Sequence, residues 1–375
     1  MKRIFAFACA TVMLVGCAVP AAAPTPTIAA PTAAPEVAAA PTATEPALPP
    51  GTQMLTVMVH DSFGISEEAV KKFESENKVK LVVLKSGDAG SMLNKAILAK
   101  GAPTADVLYG IDNTFLSRAL KADLFDAYEA PGLASVPAKF KLDPSNRMLP
   151  IDFGYVSFNA NPAGLTKRNS PTPTSLRDLT KMDYMHNIVV ENASTSSTGL
   201  AFLLATIAAF PEGSEYTWQQ FWREMVKNQV HVSPDWTDAY YTLFSGSSGK
   251  GPHDIVLSYA TSPAAEVFYS EGKLKEPPTS NLDIGAFEQV EFAGVLKGTK
   301  NPELAHRFID FLLGPDFQKD IPTQMWVYPS VDGTPLPDVF KFAAQPKTVF
   351  TLAPDQIDAN RERWIEEWTV IIAGG

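Results

Sequence analysis

The sequence predicts an α/β protein of two lobes, each a mostly parallel sheet flanked by helices. Three observations carry this. Strand and helix patterns alternate from Met54 onward, the order that builds a parallel sheet. The chain after residue 52 is longer than one hydrophobic core usually grows. The two cysteines, Cys9 and Cys17, both precede it, so apolar burial rather than disulfides must hold it together.

Met54–Val59 reads as a buried strand, and a helix follows over Glu67–Glu76 with Val70 and Phe73 on one face. A strand at Val79–Leu84, a helix at Ser91–Ala99, a strand at Ala105–Tyr109 and a helix at Thr114–Leu120 continue the alternation. In open parallel sheets ligands sit beyond the carboxyl ends of the strands. His60-Asp61-Ser62, Ser86-Gly87-Asp88 and Gly110-Ile111-Asp112-Asn113 therefore fall on the expected binding edge.

Met148–Asn161 reads as extended chain crossing to a second lobe, with Gly154 permitting a bend. That lobe is α/β as well: a strand at Asn187–Val190, helices at Thr198–Phe210, Trp218–Lys227 and Trp236–Phe244, and a strand at Asp254–Tyr259. Phe287–Leu296 is a second extended run that returns the chain to the first lobe. Amphipathic helices at Glu303–Leu313 and Arg361–Ile372 complete it.

The amino terminus carries Lys2-Arg3, an apolar run from Ile4 to Val15, and Leu14-Val15-Gly16-Cys17, the order of a lipoprotein export signal. Cleavage before Cys17 would leave that thiol for lipidation. From Ala18 to Pro50 the chain is almost entirely Ala, Pro, Thr and Val, a composition suited to an extended tether. The expected organisation is a signal peptide over 1–16, lipidated cysteine and tether over 17–52, first lobe over 53–155, second lobe over 156–288, and return with carboxyl-terminal helices over 289–375.

A net charge of −10 without basic clusters argues against a nucleic-acid partner and is compatible with a cationic ligand. Catalytic motifs fail in detail. The loop Ser245-Gly246-Ser247-Ser248-Gly249-Lys250-Gly251 lacks nucleophile-elbow spacing, and Phe244 and Gly251 break the phosphate-loop pattern. The histidines are scattered, with no metal-site spacing. The chain therefore reads as a binding protein, with no enzyme activity, metal or cofactor expected.

Trp236, Tyr240, Tyr259 and Trp326 fall at strand and loop ends, where core packing does not obviously require them. Aromatic faces bind rings and cations. The hydroxyl-rich turn Ser194-Thr195-Ser196-Ser197-Thr198-Gly199 enters a helix, an arrangement that suits either a plain cap or a phosphate.

Several stretches resemble the periplasmic thiamine-binding components of bacterial ABC transporters. They are Val59-His60-Asp61-Ser62-Phe63, Gly110-Ile111-Asp112-Asn113, Ile151-Asp152-Phe153-Gly154-Tyr155, Ser196-Ser197-Thr198-Gly199-Leu200, Asp235-Trp236-Thr237-Asp238-Ala239-Tyr240, Leu257-Ser258-Tyr259-Ala260-Thr261-Ser262-Pro263, Ile321-Pro322-Thr323 with Trp326-Val327-Tyr328-Pro329, and Arg363-Trp364-Ile365-Glu366-Glu367-Trp368. The resemblance spans nearly the whole chain after the tether. It implies a type II periplasmic-binding-protein fold with a cleft between the lobes, capture of thiamine or its mono- or diphosphate, delivery to ABC permease subunits, and a monomer anchored to the membrane outside the cytoplasm.

Carried over by position, it implies that Trp236, Tyr259 and Trp326 wall the thiamine rings, with Tyr240 in the same stretch. Ser196 and Ser197 would meet the hydroxyethyl or phosphate end. Asp88 and Ala89 would line the first lobe's edge, and Ala260, Thr261, Ser262 and Pro263 would complete the pocket. Asp61 and Asp112 are added on chemical grounds, as carboxylates for the aminopyrimidine or the thiazolium charge. The chain departs from the family with His60 in place of a tyrosine, Ala265 in place of an aromatic, and a longer loop over Ser86–Gly90. The alternatives are a ferric-ion or polyamine binder on the same fold, the former kept open by Tyr240-Tyr241, and a thiamine-degrading enzyme, which would need a cleft cysteine that the sequence lacks.

Overall fold

The computed structural model describes residues 52–246 and 250–374. The export signal, Cys17, the tether, and Ser247–Gly249 of the serine-rich loop lie outside the described residues.

The first half opens as the alternation predicts: β1 (Gln53–Val59), α1 (Glu67–Asn77), β2 (Val79–Lys85), α2 (Ala89–Leu98), β3 (Val107–Asp112) and α3 (Leu116–Lys121). β1 lies between β2 and β3 and is parallel to both. Ser66 caps α1 by accepting from the Ala69 amide, and its first turn carries Glu67 and Glu68 at the positive end of the helix dipole. β3 runs to Asp112 instead of stopping at Tyr109, because Asp112 and Ile111 pair with Glu291 and Phe292 of the returning strand. A short β4 (Phe125–Asp126) also joins that strand.

The crossing segment is one long strand, β5 (Leu149–Ala160), followed by α4 (Pro162–Arg168), β6 (Ile188–Glu191), α5 (Ser197–Ala209), α6 (Trp218–Lys227), β7 (His231–Ser233), β8 (Ile255–Tyr259), α7 (Ser262–Tyr269), β9 (Ser280–Asn281) and β10 (Ala286–Leu296). The strand order is β2-β1-β3-β10-β5-β8-β6-β7. β6 is parallel to β7 and β8, whereas β5 and β10 run antiparallel to each other and to their outer neighbours β8 and β3. The first half of β5 pairs only with β10 among the named long strands, and its second half pairs with β8, so one strand joins two parallel sets.

The expected helix over Trp236–Phe244 is a single π-type turn at Asp238–Leu243, in which the Phe244 amide donates to the Ala239 carbonyl. Such turns occur frequently at functional sites. The chain ends with α8 (Pro302–Leu312), α9 (Pro315–Gln318), α10 (Ile321–Gln324) and α11 (Pro354–Ala373). α11 begins at Pro354 rather than Arg361, with proline at its first turn, where its fixed φ is favourable. Its Trp368 packs edge-on against Trp222 of α6, with centroids 5.6 Å apart. Both rings are fully buried and anchor the helix to the second half.

Candidate functional site

The carboxyl ends of β1, β2, β6, β7 and β8 converge on a cavity of about 1360 Å³. Of the expected residues, Asp61, Asp88, Ala89, Ser197, Trp236, Tyr240, Tyr259, Thr261, Ser262 and Trp326 line it. Asp112, Ser196, Ala260 and Pro263 do not reach its wall. The extension of β3 buries Asp112 within the sheet, where it accepts from Thr114 and Gln289, and desolvation pushes its carboxyl up to about 6. Ser196 is buried with its hydroxyl on Thr198. The Ala260 carbonyl is taken by Asn281 and the Ala344 amide, and Pro263 is buried in the first turn of α7.

One side of the cavity is aromatic. Trp236 stacks on Tyr240 at 5.1 Å and 12°, and its indole Nε1 donates to Ser258 Oγ at 2.9 Å. Tyr240 in turn donates to Glu266 Oε1 at 2.8 Å, and its ring stands at 89° to that of Tyr241. Tyr259 meets Trp236 edge-on. Gly154 is not at positive φ; it serves by close approach, since a Cβ there would lie 3.1 Å from Val327 and 3.5 Å from the Tyr259 ring. Trp326 occupies the left-handed region at φ 56°, which is unusual for a bulky residue. Its carbonyl accepts from Thr261, and its ring stacks at 6.0 Å and 11° on Phe340.

Another part of the lining is charged. Asp88 caps α2 by accepting from the Ala89 amide at 2.7 Å, and the Ser197 hydroxyl of α5 lies 3.5 Å from the same oxygen. Burial raises the Asp88 carboxyl, while the Ala89 amide, the Ser196 hydroxyl and the Ser197 amide hold it down. The protein's own carboxylate therefore faces the start of α5, where the sequence also allowed a phosphate. Behind that turn Glu191 is fully buried, accepts from Thr198 at 2.8 Å, and is pushed up to about 8 chiefly by desolvation.

Sequence reasoning left Glu291 unnoticed. It sits on β10 opposite Asp112 on one neighbour and Asp152 on the other, so three carboxyls cross the sheet in a row. The signal lay in strand register, which no short motif records. His60 Nε2 is 3.5 Å from Glu291. Burial, the largest influence, pulls the imidazole down, but Glu291 and Asp88 together outweigh it and the pKa is raised. Gly110, at φ +99°, makes room for this ring, since a Cβ there would lie 2.2 Å from His60 Cδ2. Asp152 accepts from the Tyr109 hydroxyl, and burial followed by Glu291 holds its carboxyl well above the usual range.

Among the described residues, the lining contains Asp61, Asp88, Asp235, Asp238, Glu266 and Glu291, with no lysine or arginine. Such a cavity favours a cation with a flat aromatic surface.

Residues 102–358 match the family model described as bacterial extracellular solute-binding protein. A thiamine-binding periplasmic protein of Salmonella typhimurium is 33% identical over 320 residues, covering 84% of this chain and 92% of the relative. A solved periplasmic thiamin binding protein superposes with a TM-score of 0.75 at 28% identity, covering 87% of this chain and 98% of that one. The apo ferric ion-binding protein A of Pasteurella haemolytica, at 17% identity, TM-score 0.69, and coverage of 85% and 98%, shares the fold.

Proposed function

The chain belongs to the bacterial extracellular solute-binding proteins, and from that premise we propose that it captures thiamine or a thiamine phosphate outside the cytoplasm and hands it to an ABC importer. It is a transport-type binding protein, not an enzyme. The observation that carries the cargo is the pairing of aromatic faces on Trp236, Tyr259 and Trp326 with a lining that contains carboxylates and no lysine or arginine among the described residues. Thiamine offers what these groups bind: a permanently charged thiazolium and an aminopyrimidine that donates hydrogen bonds. Each well-placed aromatic face contributes on the order of 1 kcal/mol toward such a cation, and more when water is excluded.

In this reading Asp88 receives the donors of the ligand, while Ser197, Thr261 and Ser262 hydrogen-bond its remaining polar edge. Asp61 lines the mouth, and Asp112, Ser196, Ala260 and Pro263 support the lining from behind. In this reading the lobes divide near residues 155 and 288, along β5 and β10, which pair with each other and with the strands on either side. Closure of these lobes on the ligand would present the form that docks on the permease. Lipidation of Cys17 and the tether over 17–52 would hold a monomer at the membrane surface.

Binding calorimetry of the purified protein against thiamine, its mono- and diphosphate, spermidine and ferric iron tests the cargo. Tight binding of thiamine, with quenched tryptophan emission, is expected. No heat with thiamine or its monophosphate would sink the proposal, and heat with spermidine or iron alone would move the protein to the polyamine or ferric reading.

A further inference from the structure

The inner aromatics do not make up the whole cavity wall. Ala265 lines the cavity with only a methyl group. One turn later on α7 comes Tyr269, which also lines the cavity and is 62% exposed, so core packing does not account for its ring. Residues four apart share a helix face, and helical side chains lean toward the helix amino terminus. A ring at 269 therefore lies over the turn that contains 265, and the alanine leaves it room.

The Tyr269 hydroxyl is also engaged. The Trp326 indole Nε1 donates to it at 3.0 Å, with ring centroids 5.5 Å apart. The Trp326 backbone is in the left-handed region, Phe340 stacks on one face of its ring, and Phe268 meets it edge-on at 5.2 Å. Tyr241, 55% exposed, also lines the cavity, edge-on to Trp236. Burial first, then Tyr269 and Glu266, raise the Tyr241 hydroxyl.

We propose that Tyr269 is a ligand-binding residue that closes the aromatic cage: its ring forms the outer wall over Ala265, and its hydroxyl positions the Trp326 indole against the ligand. This rests on the thiamine reading and extends it to a residue outside the inner pocket. A flat cation entering the cavity meets Trp236 and Tyr259 inside, and Trp326 and Tyr269 at the rim. The ring of Tyr269 adds a cation-attracting face, and its hydroxyl holds the Nε1 edge of an indole that Phe340 stacks and Phe268 meets edge-on.

Two substitutions separate the two roles. Y269F keeps the ring and loses the acceptor, and should weaken thiamine binding roughly threefold to tenfold, the range of one net hydrogen bond. Y269A loses both and should weaken it roughly tenfold to thirtyfold. In a W326F background, where no indole donates, Y269F should change the affinity by less than about twofold. The melting temperature should be unchanged in Y269F, and its ligand-free emission spectrum should shift as the Trp326 indole loses its partner.

Wild-type affinity in Y269A overturns the cage role. A Y269F effect of equal size with and without Trp326 overturns the positioning role. If the wild-type protein fails to bind thiamine, the cargo reading falls. The ligand-free emission shift then still decides whether Tyr269 holds Trp326.

Discussion

The two sides of the cavity solve different problems. On the aromatic side, Trp236, Tyr240 and Tyr259 are arranged by ring geometry, with stacked and edge-on contacts at 5.1 and 6.4 Å and indole or phenol groups tied to Ser258 and Glu266. On the charged side, Asp88, Glu291 and His60 are arranged by strand ends and sheet register, and desolvation acts strongly on Asp88 and His60. The aromatic side holds apolar area and polarisable faces, which tolerate small changes of ligand shape. The charged side holds buried carboxyls, whose removal changes an electrostatic balance. The aromatic side should therefore set how tightly a ring cation is held, and the charged side which cation is accepted.

The largest expected effect tests the aromatic half of that contrast. Trp236→Ala removes a face and leaves Tyr240 without its stacking partner. It should weaken thiamine binding roughly thirtyfold to one-hundredfold, as truncation of a central aromatic anchor does. Trp236→Phe, which keeps a face but loses the bond to Ser258, should cost less than about tenfold. Calorimetry that finds W236A within threefold of wild type would break the assignment of affinity to this side.

A smaller effect should follow from Asp88→Asn. The amide keeps an oxygen for the Ala89 amide, so the cap survives while the charge is lost. Thiamine affinity should fall about tenfold, whereas the diphosphate, whose net negative charge the Asp88 carboxylate repels, should fall less or gain. A uniform loss across thiamine and its phosphates would show that Asp88 contributes shape rather than charge selection.

The same contrast governs how much could be read from the sequence. The aromatic residues were legible because a tryptophan at a strand or loop end, as at Trp236 and Trp326, is conspicuous against the packing it lacks. Asp61 and Asp88 followed from the rule that ligands gather beyond parallel strand ends. Asp112 fails that rule because β3 gains partners on β10, far along the chain, and so runs on past Tyr109. Glu291 was hidden for the same reason: within Phe287–Leu296 it looks like one polar residue in an apolar strand, and only pairing with Asp112 and Asp152 gives it a place. Ser196 and Ser197 were expected together: Ser197 lines the cavity beside Asp88, while Ser196 is buried behind it, its hydroxyl on Thr198 and close enough to Asp88 to lower that carboxyl's pKa.

The smallest effect probes His60, the one ring on the charged side. Glu291 on β10, Asp88 at the start of α2, Lys85 on β2 and Tyr109 on β3 all bear on it. Its folded pKa is raised above 6.5, so the imidazolium is the form the fold favours. Its contribution to stability is then fully present below about pH 6.5 and is lost as pH rises through the folded value. Glu191 and Asp112, also raised, lose stability with rising pH as well, so the wild-type curve alone cannot isolate His60. The difference between wild type and His60→Gln cancels their shared contribution. Thermal melts should therefore show wild type losing on the order of 1 kcal/mol or less relative to H60Q as pH rises from 6 to 8. Ligand binding should run the other way: a protonated His60 on the cavity wall opposes a cation, so thiamine affinity should rise with pH more steeply in wild type than in H60Q, where Asp88, Glu191 and Glu266 still titrate. Parallel pH profiles for the two proteins would place His60 outside the electrostatics of the site and leave Glu291 as the charge that matters there.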